Sequence, residues 1–275
     1  MYDWGTLAFA FGLTLLAGLA TGVGSAMAFF ARRTSTKFLA ISLGFSAGVM
    51  IYVSFVEILQ KSIHALGHAY GDVLGHWLAV GSFFTGVFII AIIDRLVPSY
   101  ENPHENMTVE ALDNAELEAA FKRRSSLLRT GMFTAIAIAI HNFPEGLATF
   151  VSAIHDPNLG IAIAVAIAIH NIPEGIAVSV PVYYATHDRK KAFLYSFLSG
   201  LAEPLGAVIG FLILMPFMSE AVMGILFGIV AGIMVFISID ELLPASQAYG
   251  EHHLSVYGMI AGMAVMSISL LLFLA

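Results

Sequence analysis

The chain has 275 residues, of which 59% are hydrophobic and 11% charged. A soluble domain carries about 25% charged residues, so this composition excludes an ordinary water-soluble fold and points to a membrane protein. A net charge of −7 gives no nucleic-acid footprint, and the absence of cysteine excludes disulfides and thiolate metal ligands.

A bilayer-spanning helix needs about 20 apolar residues. Runs of this kind fall at about 6–30, 38–59, 73–97, 128–152, 159–184, 192–215, 221–243 and 254–274. They predict an all-α polytopic membrane protein with eight transmembrane helices, forming one domain over residues 1–275. The first span follows "MYDW", with no basic region to mark a cleavable signal. Span two ends near Glu57, and the segment after it carries His64 and His68, spaced i, i+4. A solvated helix face accounts for these two better than a metal site does. Span three ends at Asp94 and Arg95, read as an interfacial pair. Loop 98–127 is rich in charge and reads as solvated, with a short amphipathic helix near 108–124; His104 with Glu101 and Glu105 is a weak metal candidate there.

Spans four and five each interrupt an apolar run with the same polar motif, "HNFPEG" and "HNIPEG". Eleven of the fourteen residues 135–148 recur at 164–177. Each residue of a helix advances by about 100°, so with His141 at 0°, Asn142 lies near 100° and Glu145 near 40°. The three point into one sector, with the glutamate central; His170, Asn171 and Glu174 repeat the pattern. Packed antiparallel, the two helices suggest two adjacent cation positions. One is lined by His141, His170 and both glutamates. The other is lined by Asn142, Asn171 and the same glutamates, which can bridge. Ionisable groups at bilayer depth cost about 2.5–3.5 kcal/mol each on insertion scales. One such group serves as structural glue; two copies of a His-plus-Glu set on proline-bearing helices read as a cation site. A mixed N/O set favours Zn(II), Fe(II), Mn(II), Co(II) or Cd(II). Pro144 and Pro173 free the carbonyls of Ile140 and Ile169 and predict kinks, and Gly146 and Gly175 allow close helix approach.

Span six carries "SGLAEPLG", whose Glu203 is a third mid-membrane carboxylate that completes the asparagine side. Span seven ends in "SIDELLP", with Asp240 and Glu241. Residues 44–59 align with 228–243 with seven identities in sixteen, so Glu57 and Glu241 are repeat equivalents. On opposite sides of the centre, Glu57 and the Asp240/Glu241 pair read as entry and exit stations. Consecutive spans run antiparallel, so both repeats are inverted, a pattern typical of secondary transporters. His252 and His253 precede span eight and carry no specific signal. Eleven of the twelve basic residues fall in odd-numbered loops or beside them. The positive-inside rule therefore places those loops in the cytoplasm and both termini outside.

The motifs "HNFPEGLATF", "HNIPEGIAV", "SGLAEPLG" and "SIDELLP" resemble the ZIP (Zrt-, Irt-like protein) family of divalent-metal transporters, in its bacterial branch. The resemblance covers essentially the whole chain. It implies a 3+2+3 arrangement of eight helices with inverted repeats, a homodimer in the bacterial inner membrane, and metal movement into the cytoplasm. It also implies a binuclear site, with His141, Glu145, His170 and Glu174 at the first position. The second would use Asn142, Glu145, Asn171, Glu174 and Glu203. Zn(II) and related ions are then transported substrates, and no catalytic cofactor is implied. The large loop is less His-rich than in many relatives.

An intramembrane metalloenzyme is the alternative. A zinc protease wants Glu directly after His, as in HExxH; here it follows four residues later, where a ligand sits. No phosphate-binding glycine loop appears, which argues against ATP coupling. Because His and Glu must shed protons to ligate, proton coupling is chemically reasonable.

Overall fold

A computed structural model describes residues 3–30, 36–96, 115–155, 157–214, 217, 219–249 and 252–272. Among these, every regular element is helical and no strand occurs. Span one is Trp4–Phe30 and span three Asp72–Leu96. Span four is Ala115–His155, span five Pro157–Thr186 and span eight His252–Leu272. Spans two, six and seven are composite. Span two is Thr36–Val53 and Leu59–Tyr70, joined by a π-helical turn at Ser54–Ile58. Span six is Arg189–Gly200 and Ala202–Ile209, followed by a π turn at Gly210–Leu214. Span seven is Glu220–Ile237 and Leu243–Tyr249, joined by a π turn at Ser238–Leu242.

Seven described helices are long and apolar enough to cross a membrane. The eighth expected span lies in Ala115–His155, where the polar HNFPEG motif dilutes an otherwise apolar run. This helix starts thirteen residues before the expected 128 and runs without a break from within the segment where a separate amphipathic helix was expected near 108–124. His104, Glu101 and Glu105 lie outside the described residues. Span two also runs further than expected, to Tyr70, before Gly71 turns the chain at φ +83°, a conformation that suits glycine.

The helices pack in repeat-related pairs. Span one packs on span five and span six on span four; span two packs on span eight and span seven on span three. Glycines set these seams. A Cβ on Gly48 would sit 2.0 Å from the Met259 carbonyl of span eight, and one on its equivalent Gly232 would sit 2.0 Å from the Phe83 carbonyl of span three. Small residues let helix backbones meet where no hydrophobic effect drives them together. Of the seven long apolar helices, spans two and five are the most buried and spans three and eight the least. The outer faces of those two peripheral helices carry Trp77, Phe84, Phe88, Ile260, Val265 and Ile268, all exposed, as lipid contact requires.

The repeat between spans two and seven reappears in backbone detail. Both π turns open on a serine that bonds back to the carbonyl four residues earlier. Ser54 Oγ donates to Met50 O at 2.6 Å and Ser238 Oγ to Met234 O at 2.7 Å. Such back-bonding competes with the helix ladder, and π turns concentrate at functional positions. Here each turn carries the repeat-related glutamate, Glu57 or Glu241.

Candidate metal site

Span four runs unbroken through Pro144, and span five through Pro173 and Pro181. Their motifs face one another in the interior, where His141, Asn142, Glu145, His170, Asn171 and Glu174 are all buried. Glu203 joins them from span six and is also buried. All seven residues singled out in the sequence therefore converge on one region.

Pairing is across helices rather than within them. His141 Nε2 lies 2.9 Å from Glu174 Oε1, and His170 Nε2 lies 3.5 Å from Glu145 Oε2. Each motif's histidine thus meets the other motif's glutamate. The arrangement is two His–Glu pairs side by side, not one cage of four closely converged ligands. Asn171 Nδ2 donates to Glu203 Oε1 and, at 2.8 Å, to the Ala17 carbonyl of span one. One end of the Asn142 amide lies 3.4 Å from the Ser199 carbonyl of span six. The other end of the Asn142 amide lies 3.0 Å from His141 Nε2 and 3.3 Å from Glu174 Oε2. With oxygen there, it joins them as a third lone-pair donor; with nitrogen there, it hydrogen-bonds them.

Burial leaves several of these groups without a protein partner: Nδ1 of both histidines, Asn171 Oδ1, Glu203 Oε2 and Thr21 Oγ1. An unpaired buried polar group costs about 1–3 kcal/mol. Five around one locus make a polar pocket in an apolar bundle, and their donor chemistry (imidazole, amide and carboxylate) suits Zn(II)-like divalent ions.

Close backbone contact holds the four central helices in register. A Cβ on Gly24 would lie 1.9 Å from Ile172 O, and one on Gly175 would lie 2.2 Å from Thr21 O. A Cβ on Gly206 would lie 2.0 Å from Phe143 O, and one on Gly146 would lie 2.0 Å from Glu203 O. These four contacts form two repeat-related pairs, since Phe143 corresponds to Ile172 and Gly146 to Gly175. They reveal a third inverted repeat that sequence reading missed: "GLATGVG" at 18–24 against "GLAEPLG" at 200–206. Thr21 is thereby the counterpart of Glu203. The signal was present in the sequence, hidden by the exchange of a hydroxyl for a carboxylate at its centre. Pro204 adds a further difference, since span six breaks at Leu201 and Gly200 O loses the donor that Pro204 lacks.

Residues 104–270 match the ZIP zinc transporter family. A zinc transporter ZupT of Nitratidesulfovibrio vulgaris is 61% identical over 277 residues, covering 100% of both chains. The ZupT of Clostridium perfringens is 60% identical over 274 residues, 96% of each chain. That of Oceanobacillus iheyensis is 62% identical over 263 residues, covering 96% of this chain and 97% of its own. The chain belongs to the ZIP family. It is an integral membrane protein of that family, and these relatives are named as transporters.

In this ZIP chain each of the two repeat-related glutamates bonds to a basic residue, and Glu57, expected near the end of span two, lies thirteen residues before the helix ends at Tyr70. Glu57 Oε1 accepts from Lys61 Nζ at 2.8 Å, while Glu57 Oε2 is buried without a partner. Glu241 accepts from Arg129 at 3.1 Å and from Thr130 Oγ1 at 2.8 Å. Arg129 also bonds the Asp94 carboxylate, so the expected pairing of Asp94 with Arg95 gives way to one with span four. Arg129 comes from the next span, 35 residues along the chain, which no local reading could supply. Asp94, Asp240 and Glu241 offer oxygens that all lie within 4.8 Å of one another. His252 and His253 meet edge to face, with ring centroids 5.6 Å apart and planes at 69°.

Proposed function

We propose that the chain is a secondary carrier of Zn(II) and related divalent ions, among them Fe(II), Mn(II), Co(II) and Cd(II). In this reading it works in the bacterial inner membrane as a homodimer, both termini outside, and delivers ions to the cytoplasm. The observation that carries the reading is the pair of cross-helix contacts, His141–Glu174 and His170–Glu145, buried between inverted helices. Two ions are the natural load. One position takes the His–Glu pairs, and the second takes Asn142, Asn171 and Glu203 with Glu145 and Glu174 shared. The names of the relatives support zinc as cargo. No enzyme activity is proposed, and no catalytic cofactor is needed.

The chemistry follows from the pairs. In each, Nε2 faces a carboxylate, an arrangement in which imidazole donates a proton to oxygen. A metal ion needs the lone pair of that same nitrogen, so an imidazolium releases a proton when the ion enters, whereas a neutral ring only moves its proton to the unpartnered Nδ1. The carboxylate then turns from hydrogen-bond acceptor to ligand without leaving the site. Glu57 and the Asp94/Asp240/Glu241 group serve as stations on the way in and out.

The test is uptake by the purified protein in proteoliposomes, scanning divalent ions with and without a pH gradient. Saturable uptake of Zn(II), abolished by Glu145→Ala or Glu174→Ala, is expected. Intact protein that moves no divalent ion, or uptake indifferent to both substitutions, defeats the reading.

A further inference from the structure

The geometry points to a separate histidine site for Zn(II)-class ions at the hairpin between spans two and three, built from none of the central residues. An open cavity of 660 Å³ there is lined by Gln60, Ile63, His64, Gly67, His68, Asp72 and His76. Span three is about 37 Å long at 1.5 Å per residue, and it separates this hairpin from Asp94 at its other end. The basic-residue distribution assigns the hairpin to the outer face. The inference therefore rests on the carrier reading only for its role as a capture site, not for the binding itself.

Three features make these histidines more than a solvated helix face. First, the tautomers are set. His76 Nδ1 lies 2.6 Å from the Asp72 carbonyl, and His68 Nδ1 lies 2.8 Å from Glu220 Oε2 of span seven. Both partners only accept, so each Nδ1 carries the proton and each neutral ring presents a bare Nε2. A ligand histidine is held this way in known metal sites, with carbonyl or carboxylate behind the ring fixing its orientation and raising its basicity. Second, the spacing suits chelation. His64 and His68 stand one helical turn apart, the i, i+4 separation with which two histidines on one helix face grip a single zinc. Third, the scaffold is tight. A Cβ on Gly75 would lie 2.4 Å from Gly67 N, so the two helices touch backbone to backbone one residue before His68 and His76. Gly71 closes the turn between them. The Asp72 carboxylate lies at the same contact, 3.6 Å from where a Gly67 Cβ would be, and lines the same cavity. As the side chains stand, no three of these ligand atoms lie within 4.8 Å of one another; the exposed imidazoles must turn toward one ion, and the three nitrogens and one oxygen that line the cavity then suit Zn(II), Co(II) or Cd(II). The exposure of His64, His68 and His76 opens the set to water, as a site that collects ions from dilute solution needs.

The experiment is a Co(II) titration of full-length detergent-solubilised protein, followed by visible absorption. Three proteins are compared: wild type, Glu145→Gln/Glu174→Gln, and that double variant with His64→Gln, His68→Gln and His76→Gln added. The double variant is expected to keep one saturable equivalent per chain. The five-substitution protein should lose it or bind at least tenfold more weakly. Identical titrations of those two variants, or no saturable binding in the double variant, overturn the hairpin site. Identical titrations of wild type and double variant instead strike the central-site reading, so the two failures are distinguishable. Because the three histidines are exposed, the five-substitution protein should melt where the double variant does. Loss of binding together with a lowered melting temperature is answered by His68→Gln alone, which must still weaken the equivalent for the site to stand.

Discussion

Replacing Gly24 with alanine tests whether the central site depends on backbone contact between spans one and five. The added methyl would stand 1.9 Å from Ile172 O and 2.9 Å from its carbonyl carbon. An ordinary carbon–oxygen contact is about 3.3 Å, so the helices must part by about 1.4 Å. No flexible side-chain tip is available to yield, because the opposing atoms are backbone. Overpacking of this kind costs about 1–3 kcal/mol. The displaced segment lies between Asn171 and Glu174, so the same movement pulls the Asn171 amide off the Ala17 carbonyl and Glu174 from His141. Gly12→Ala, on the same helix, meets nothing within 4 Å and should gain up to about 1 kcal/mol in helix propensity. Melting of the detergent-solubilised variants and Zn(II) uptake are the measurements. Gly24→Ala should melt below wild type and transport poorly, while Gly12→Ala should match or exceed wild type in both. Equal melting and equal uptake in the two variants would refute the close-contact account.

Four further outcomes are expected. Glu203→Ala should leave the His–Glu pairs intact, retain partial uptake and alter the order of preference among divalent ions; unchanged selectivity would remove Glu203 from the second ion position. Thr21→Val is nearly isosteric and removes a buried hydroxyl without a partner, so melting should not fall, and loss of metal affinity would mark that hydroxyl as a cargo contact. Arg129→Met strips the base from Asp94 and Glu241 and should lower the melting temperature, with partial recovery on adding Asp94→Asn; no recovery would mean that packing, not charge, explains the loss. Because the chain lacks cysteine, single cysteines at Asn158 and Ser125 should label from outside and inside respectively, and the reverse pattern would invert the topology.

The central residues were legible in the sequence because polar groups stand out against apolar runs and because they recur. His141 and Glu145 share a helix face, so sequence periodicity brought them together, and their partners across the interface follow from the repeat. Which glutamate each histidine bonds did not follow, since the exchange between motifs depends on how two helices face each other. The relation of Thr21 to Glu203 escaped because only four of seven residues match across 18–24 and 200–206, and the aligned pair differs in charge. The true partner of Asp94 escaped because Arg95 is adjacent in the chain while Arg129 is adjacent only in space. The early start of span four was obscured by its charged first turns, where a helix that leaves the bilayer resembles a loop in hydropathy.

The mismatch of Thr21 with Glu203 has a thermodynamic meaning. A fully symmetric inverted frame would present the same sequence of barriers to an ion arriving from either side, like a corridor that looks alike from both doors. A carboxylate on one half and a hydroxyl on the other tilt that profile, so the ion dwells off-centre and its two exits differ in height. Such a tilt alters how fast the ion leaves by each door. It cannot decide which way ions accumulate, because both directions of a passive cycle cross the same landscape. Net direction must come from outside the frame, from the ion concentrations on the two sides or from protons exchanged at the histidines.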